Sequence, residues 1–120
     1  PAVKFNELRG KIVEQVETSQ EVRERVIRAR ETQTRRLAGD RVYSNSAMSS
    51  KQIREFCVLD AECEMLLEKA MFRQGLSARA HDRILKVTRT IADLAGCEKI
   101  EPGHISEAIG YRSLDRNYWA

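Results

Sequence analysis

The sequence predicts an all-α fold, a compact bundle of about five helices. Two observations carry this expectation. Apolar residues recur at spacings of three and four in one segment after another, and a residue able to cap stands ahead of each. The chain is also poor in aromatics, at 6% against 42% hydrophobic residues in all, so its core material is mainly Leu, Ile, Val and Ala, which suits helices packed on helices. Its 120 residues amount to one domain's worth of chain, enough to bury a core.

Taken in order, Phe5, Leu8, Ile12 and Val16 keep helical spacing, but Gly10 interrupts them. Residues 1–17 are therefore expected to be a weakly ordered lead-in, and residues 18–120 a helical domain. The first firm helix runs from Thr18 to Leu37, capped by Thr18 or Ser19, with Val22, Val26, Ala29, Gln33 and Leu37 inward. Gly39-Asp40 and Ser44-Asn45-Ser46 mark a turn-rich connection. A short helix over Ser49–Cys57 points Ile53 and Phe56 inward. Asp60 caps the next, which ends at Gln74 before Gly75 and offers Met65, Leu66, Leu67 and Phe72 as core. Glu101-Pro102 opens a last helix to about Tyr111, since Pro at a first helical position lacks only an N–H that had no partner there. A polar tail then leads to Tyr118 and Trp119, an aromatic pair that either docks on the body or meets a partner.

The helix over Ser77–Ala95 is the centre of the pattern. Ala80, Ile84, Val87, Ile91 and Ala95 form an apolar stripe widened by Leu85 and Ala92, with Arg79, Asp82, Arg83, Lys86, Thr90 and Asp93 opposite. Gly96 stands where a left-handed cap residue is expected. Arg79 falls two places after the Ser77 cap, where a cation opposes the helix dipole, and Arg83 repeats the charge one turn on. Two arginines at that end suit either solvation and pairing with a neighbouring acid or an anion beyond the helix, phosphate among them.

The run Gly75-Leu76-Ser77-Ala78-Arg79-Ala80-His81-Asp82-Arg83-Ile84-Leu85-Lys86-Val87-Thr88-Arg89-Thr90-Ile91-Ala92-Asp93-Leu94, with Ile105 to Arg112 after it, resembles the C-terminal region of magnesium-chelatase-like AAA+ ATPases of the ComM/YifB family. The resemblance extends from about Thr18 to Trp119, and its Ser-Ala-Arg and Arg-Thr-Ile-Ala-Asp-Leu blocks are specific. It implies the helical lid that follows a nucleotide-binding core, with Arg79 as a sensor-2-like residue on the γ-phosphate of ATP, and Arg83 a surface residue. It further implies a cytoplasmic parent using ATP and Mg²⁺, partnered by its own ATPase core and by neighbouring subunits of a hexameric ring, and acting on DNA in branch migration during competence. The alternative parent is the ATPase subunit of a magnesium chelatase in tetrapyrrole synthesis. His81 and Thr88 stand where the family leads one to expect Tyr and Ala.

The first helix holds Arg25, Arg28 and Arg36 on one flank of its stripe. Three readings compete for them: a solvated, salt-bridged flank, a surface meeting the core or another subunit, and a nucleic-acid contact, as in a basic helical nucleic-acid-binding module. A formal charge of +3 is too small to announce the last, and no aromatics interleave the arginines to stack on bases.

Cys57, Cys63 and Cys97 cannot all pair within one chain, and their spacing with His81 and His104 matches no zinc pattern, so reduced thiols and no metal site are expected. No apolar run approaches membrane-spanning length, and no membrane partner is expected. No G-x-x-x-x-G-K-[ST] phosphate loop occurs, nor an apolar strand ending in Asp-Glu to hold Mg²⁺. The 120-residue chain by itself is therefore expected to turn over negligible ATP and to bind it at millimolar Kd or weaker. Calorimetry showing a micromolar Kd would mean that a nucleotide site had been overlooked.

Overall fold

The computed structural model describes the backbone of residues 18–119 and the side chains of residues 18–112. The lead-in expected over residues 1–17 lies outside them. Five α-helices are described: α1 (Ser19–Arg36), α2 (Ser50–Phe56), α3 (Ala61–Gln74), α4 (Ala78–Leu94) and α5 (Pro102–Trp119), with a 3₁₀ turn at Asn45–Ala47. The fold is all-α, with no strand among the described residues.

Each helix starts where local chemistry places it. Thr18 and Glu21 exchange side-chain and backbone hydrogen bonds at 3.1 and 3.2 Å, and Ser49 and Gln52 repeat this capping box at 3.3 and 2.9 Å. The Asp60 carboxylate accepts the Cys63 N–H at 2.8 Å, and the Ser77 hydroxyl accepts that of Ala80 at 3.2 Å. Those contacts favour the Asp60 anion, and backbone N–H donation holds its carboxyl below the usual range. α3 ends on Gly75 at φ 61°, where a side chain would be strained. α4 ends in a Schellman turn, Gly96 N–H to Asp93 O at 3.0 Å and Cys97 N–H to Ala92 O at 2.8 Å.

α4 is the hub, packed against α1, the 3₁₀ turn, α2 and α5, while α3 lies on α5. Ile84, Leu85 and Ala92 meet Ile53, Cys57, Leu67, Ile100, Ile105 and Ala108 in the core. Contact on several sides changes which arc of α4 is buried. Ala80, Ile84, Leu85 and Ala92 are inward as expected, but Val87 is 42% exposed and Ala95 exposed, whereas Thr88, Arg89 and Asp93 are buried. Thr88 is tolerated because its hydroxyl donates to Ile84 O at 2.7 Å.

Asp93, expected in solvent, accepts from two arginines. Arg36 on α1 grips it with Nη2 to Oδ1 at 2.6 Å and Nη1 to Oδ2 at 2.8 Å. Arg89, one turn earlier on α4, donates Nε to Oδ1 at 3.2 Å. The remaining Arg89 donors reach Cys97 O at 2.8 Å and Glu98 O at 3.0 Å, and Asn45 Nδ2 adds a bond to Asp93 Oδ2 at 2.8 Å. A charge is tolerable in a core only when its bonding capacity is met in this way.

Three further expectations are corrected. Phe72 is 92% exposed and Met65 56%, because α3 presses one arc, Cys63, Leu67 and Ala70, toward the core and carries these two on another. Val22 likewise lies outward on α1, in its N-terminal half. α5 continues past Tyr111 to Trp119, since Gly110 weakens a helix without breaking it unless the backbone turns left-handed, and its φ is not positive. The side chains of Tyr118 and Trp119 lie outside the described ones.

Removing the shared carboxylate strands the buried Arg89 guanidinium and the partly buried one of Arg36. Asp93→Ala is expected to cost about 3–5 kcal/mol in urea-denaturation stability, the usual penalty for breaking a buried pair from one side. A loss under about 1 kcal/mol, as for a surface change, would show that the network holds nothing together.

Candidate functional site

The first turn of α4 is set by a short exact sequence of local constraints: the left-handed Gly75, the Ser77 cap, then helix from Ala78. Arg79 is exposed there and makes no hydrogen bond or ion pair among the described residues. Its neighbours do have partners. His81 Nδ1 lies 3.3 Å from Asp82 Oδ1, and Ser50 on α2 donates to Asp82 Oδ2 at 3.4 Å. Asp82, near the positive end of the helix dipole, thus bonds sideways to His81 and α2. Arg83, one turn beyond Arg79, is also exposed and without a described partner. Two guanidinium groups on one edge of α4 therefore face outward with their donors unspent.

The arginines of α1 part company. Arg36 is spent on Asp93, its side chain only 13% exposed, and also donates to Asn45 Oδ1 at 3.1 Å. It is a tie between α1 and α4, not a member of an outer surface. Arg25 and Arg28 do share a place. With Arg35 they line an open cleft of about 390 Å³ against the last turn of α4, from Asp93 to Gly96. Cations suit that position, because the carbonyl groups at a helix C-terminus carry partial negative charge. Arg28 is exposed at this cleft and Arg25 half-buried.

The protein-family model described as "Magnesium chelatase, subunit ChlI C-terminal" matches residues 16–112. The chain belongs to this magnesium chelatase ChlI C-terminal family. Within it, the chain is 47% identical over 100 residues to competence protein ComM of Haemophilus influenzae, 43% to the uncharacterized protein YifB of Escherichia coli and 40% to YifB of Salmonella typhimurium. Each alignment covers 83% of this chain and 19% of the relative, so the ChlI-type C-terminal domain is a minor part of those proteins' length. No described helix is long and apolar enough to cross a membrane.

In this ChlI-type domain the ligating side chains outside α4 have structural tasks. Cys97, Glu101 and His104 bring ligand atoms within 4.8 Å of one another. Yet His104 Nδ1 accepts the Glu101 N–H at 3.0 Å at the start of α5, which puts the proton of a neutral ring on Nε2. A metal at either nitrogen would have to displace that proton or that bond. The buried Cys57 and Cys63 thiols sit 3.8 and 3.7 Å from the carbonyl oxygens of Leu85 and Ile100. Burial pushes both up to about 11, so neither is a thiolate near neutrality.

Two of the site's features escape a reading by periodicity. Arg89 and Asp93 flank the apolar positions of α4, and an Arg–Asp pair at i, i+4 inside a buried arc is the signal that points to them. Arg112 is the other, and only its pairing in space with Arg83 makes it visible. A thiol reagent should find one reactive group in the native protein at pH 8, the half-buried Cys97, and all three after denaturation. Prompt labelling of Cys57 or Cys63 in the native state would contradict their packing.

Proposed function

We propose that this domain is the helical lid of an ATPase, and that Arg79 is its contact to the γ-phosphate of ATP held by a separate nucleotide-binding core. The observation that carries the reading is an exposed, unpartnered guanidinium in the first turn of a capped helix, set against the dipole. Such a residue contributes little to the domain's own stability and is available to an anion presented from outside. The described residues fit one contact to a phosphate, not a whole nucleotide site. ATP with Mg²⁺ supplies the phosphoryl chemistry when bound to the core; Arg79 orients and neutralises the terminal phosphate from the lid side. α4 carries that arginine at one end and the rest of the domain along its length, so lid position and phosphate contact change together.

The resemblance of the sequence to the ComM/YifB family, and its similarity to a protein named for competence, lead us to propose as parent a ring-forming AAA+ motor acting on DNA, with branch migration in competence as its task. Neighbouring subunits and DNA are then partners of the whole protein. Exposed Arg28 is the residue through which α1 would touch either.

Arg79→Ala should leave the domain as stable as before within about 0.5 kcal/mol, as surface changes generally do. In the full-length protein it should cut ATP turnover by at least about tenfold, the loss of a charge that stabilises the transferring phosphate. A destabilised domain with normal turnover would make Arg79 a structural residue and end the sensor reading.

A further inference from the structure

A second concave feature lies beside Arg83. Where α4 crosses α5, Arg83, Ile84 and Val87 face Ala108, Tyr111 and Arg112 across a cleft of about 290 Å³. Its walls are apolar, with Val87 42% and Tyr111 53% exposed, and its charges are both positive. Arg112 is half-buried, and its Nε, closed off from solvent, has no hydrogen-bond partner among the described residues. Arg83 has no partner among the described residues either. The Tyr111 hydroxyl, by contrast, is satisfied by Glu107 Oε1 at 2.9 Å, so the ring rather than the hydroxyl is what this residue offers.

Two guanidinium groups facing one apolar cleft call for an anion between them, and a guanidinium is best satisfied by a planar carboxylate. We propose that this cleft is the seat of an acidic side chain flanked by apolar residues, presented by the nucleotide-binding core of the same polypeptide. The proposal rests on the lid reading for its choice of partner, and on the cleft for its chemistry. The carboxylate pairs with Arg83 and with the outer guanidinium nitrogens of Arg112, while its apolar neighbours cover Val87 and the Tyr111 ring. A nucleic-acid backbone fits less well, because a hydrated phosphodiester gains nothing from the apolar walls. Arg79, Arg83 and Val87 follow one another at i, i+4 along a single edge of α4, so the seat begins about 6 Å along the helix axis from Arg79, at Arg83. Seating the core's carboxylate in the cleft sets the angle at which Arg79 reaches across.

The test is photo-crosslinking of the full-length protein with p-benzoylphenylalanine in place of Tyr111, the attachment point being read by mass spectrometry. The expected product joins Tyr111's position to the nucleotide-binding core of the same polypeptide, next to an Asp or Glu. Arg83→Glu should lower its yield by at least about tenfold by putting like charge against the carboxylate, while far-UV circular dichroism stays unchanged. Crosslinks to DNA, to another protein, or to core segments lacking an acid overturn the proposal, as does the absence of any crosslink. The two readings fail separately. Normal ATP turnover in Arg79→Ala alongside the expected crosslink removes the phosphate contact and leaves the docking seat. Loss of turnover in Arg79→Ala without the crosslink does the reverse.

Discussion

The Asp93 carboxylate is the constraint on which the rest of this domain depends. It is closed off from solvent and takes hydrogen bonds from Arg36, Arg89 and Asn45. Those three come from α1, from α4 itself and from the 3₁₀ turn between α1 and α2. Arg89 then reaches on to the carbonyls of Cys97 and Glu98, just past the Schellman turn that closes α4. One anion therefore ties the first helix, the first connection, the central helix and the chain reversal into α5. A buried network of this kind is not a larger source of stability than a well-packed apolar cluster would be. It differs in being directional: apolar contacts tolerate a small rotation of α4, whereas two guanidinium forks on one carboxylate do not.

That directionality explains where the sequence was legible. Every helix start expected from local chemistry is present, at Thr18, Ser49, Asp60, Ser77 and Pro102, because a cap is a bargain between residues three apart. The glycine stops at Gly75 and Gly96 are legible for the same reason. The arc of α4 is not. Arg36 and Asp93 are 57 positions apart, and nothing within a helical window announces that an Arg on one helix will draw an Asp on another inward. Periodicity assigns polar residues to solvent, and so it put Asp93 outside and Val87 inside. Phe72 fails for a related reason. A large apolar residue is assigned to the core by type, while its burial depends on how many neighbours its helix acquires, and α3 packs chiefly on α5.

The candidate site was legible in a different way. Position and dipole make Arg79 unusual without saying what it meets; the phosphate of the proposed reading comes from the Ser-Ala-Arg block and its resemblance. The structure adds that Arg79 has no competing partner within the described residues. For Arg36 the outcome is opposite: the same residue type, on a helix face that looked basic and outward, is consumed internally. Charge counted along a helix cannot separate these cases, because both arginines flank an apolar stripe. Only the three-dimensional inventory of acceptors does: Arg36 and Arg89 share the buried Asp93 carboxylate, whereas Arg79 and Arg83 have no acceptor among the described residues.

This division of the arginines bears on how the domain could act as a lever. The ones whose donors are satisfied internally, Arg36 and Arg89, lie toward the C-terminal half of α4 and its surroundings. Arg79 and Arg83 lie at the N-terminal end, 14 and 10 residues from Asp93, or about 21 and 15 Å along the axis. A helix gripped at one end and contacted by α1, α2 and α5 along its length moves as one body with them. An interaction at its N-terminal end would then be felt by the whole domain rather than absorbed in a bending loop. In the proposed reading the ion-paired half makes the arginines at the other end useful: a guanidinium on a frayed or rotating helix could find an anion, but it could not report the anion's presence to α1, which ends in Arg36 on the other side of the same carboxylate.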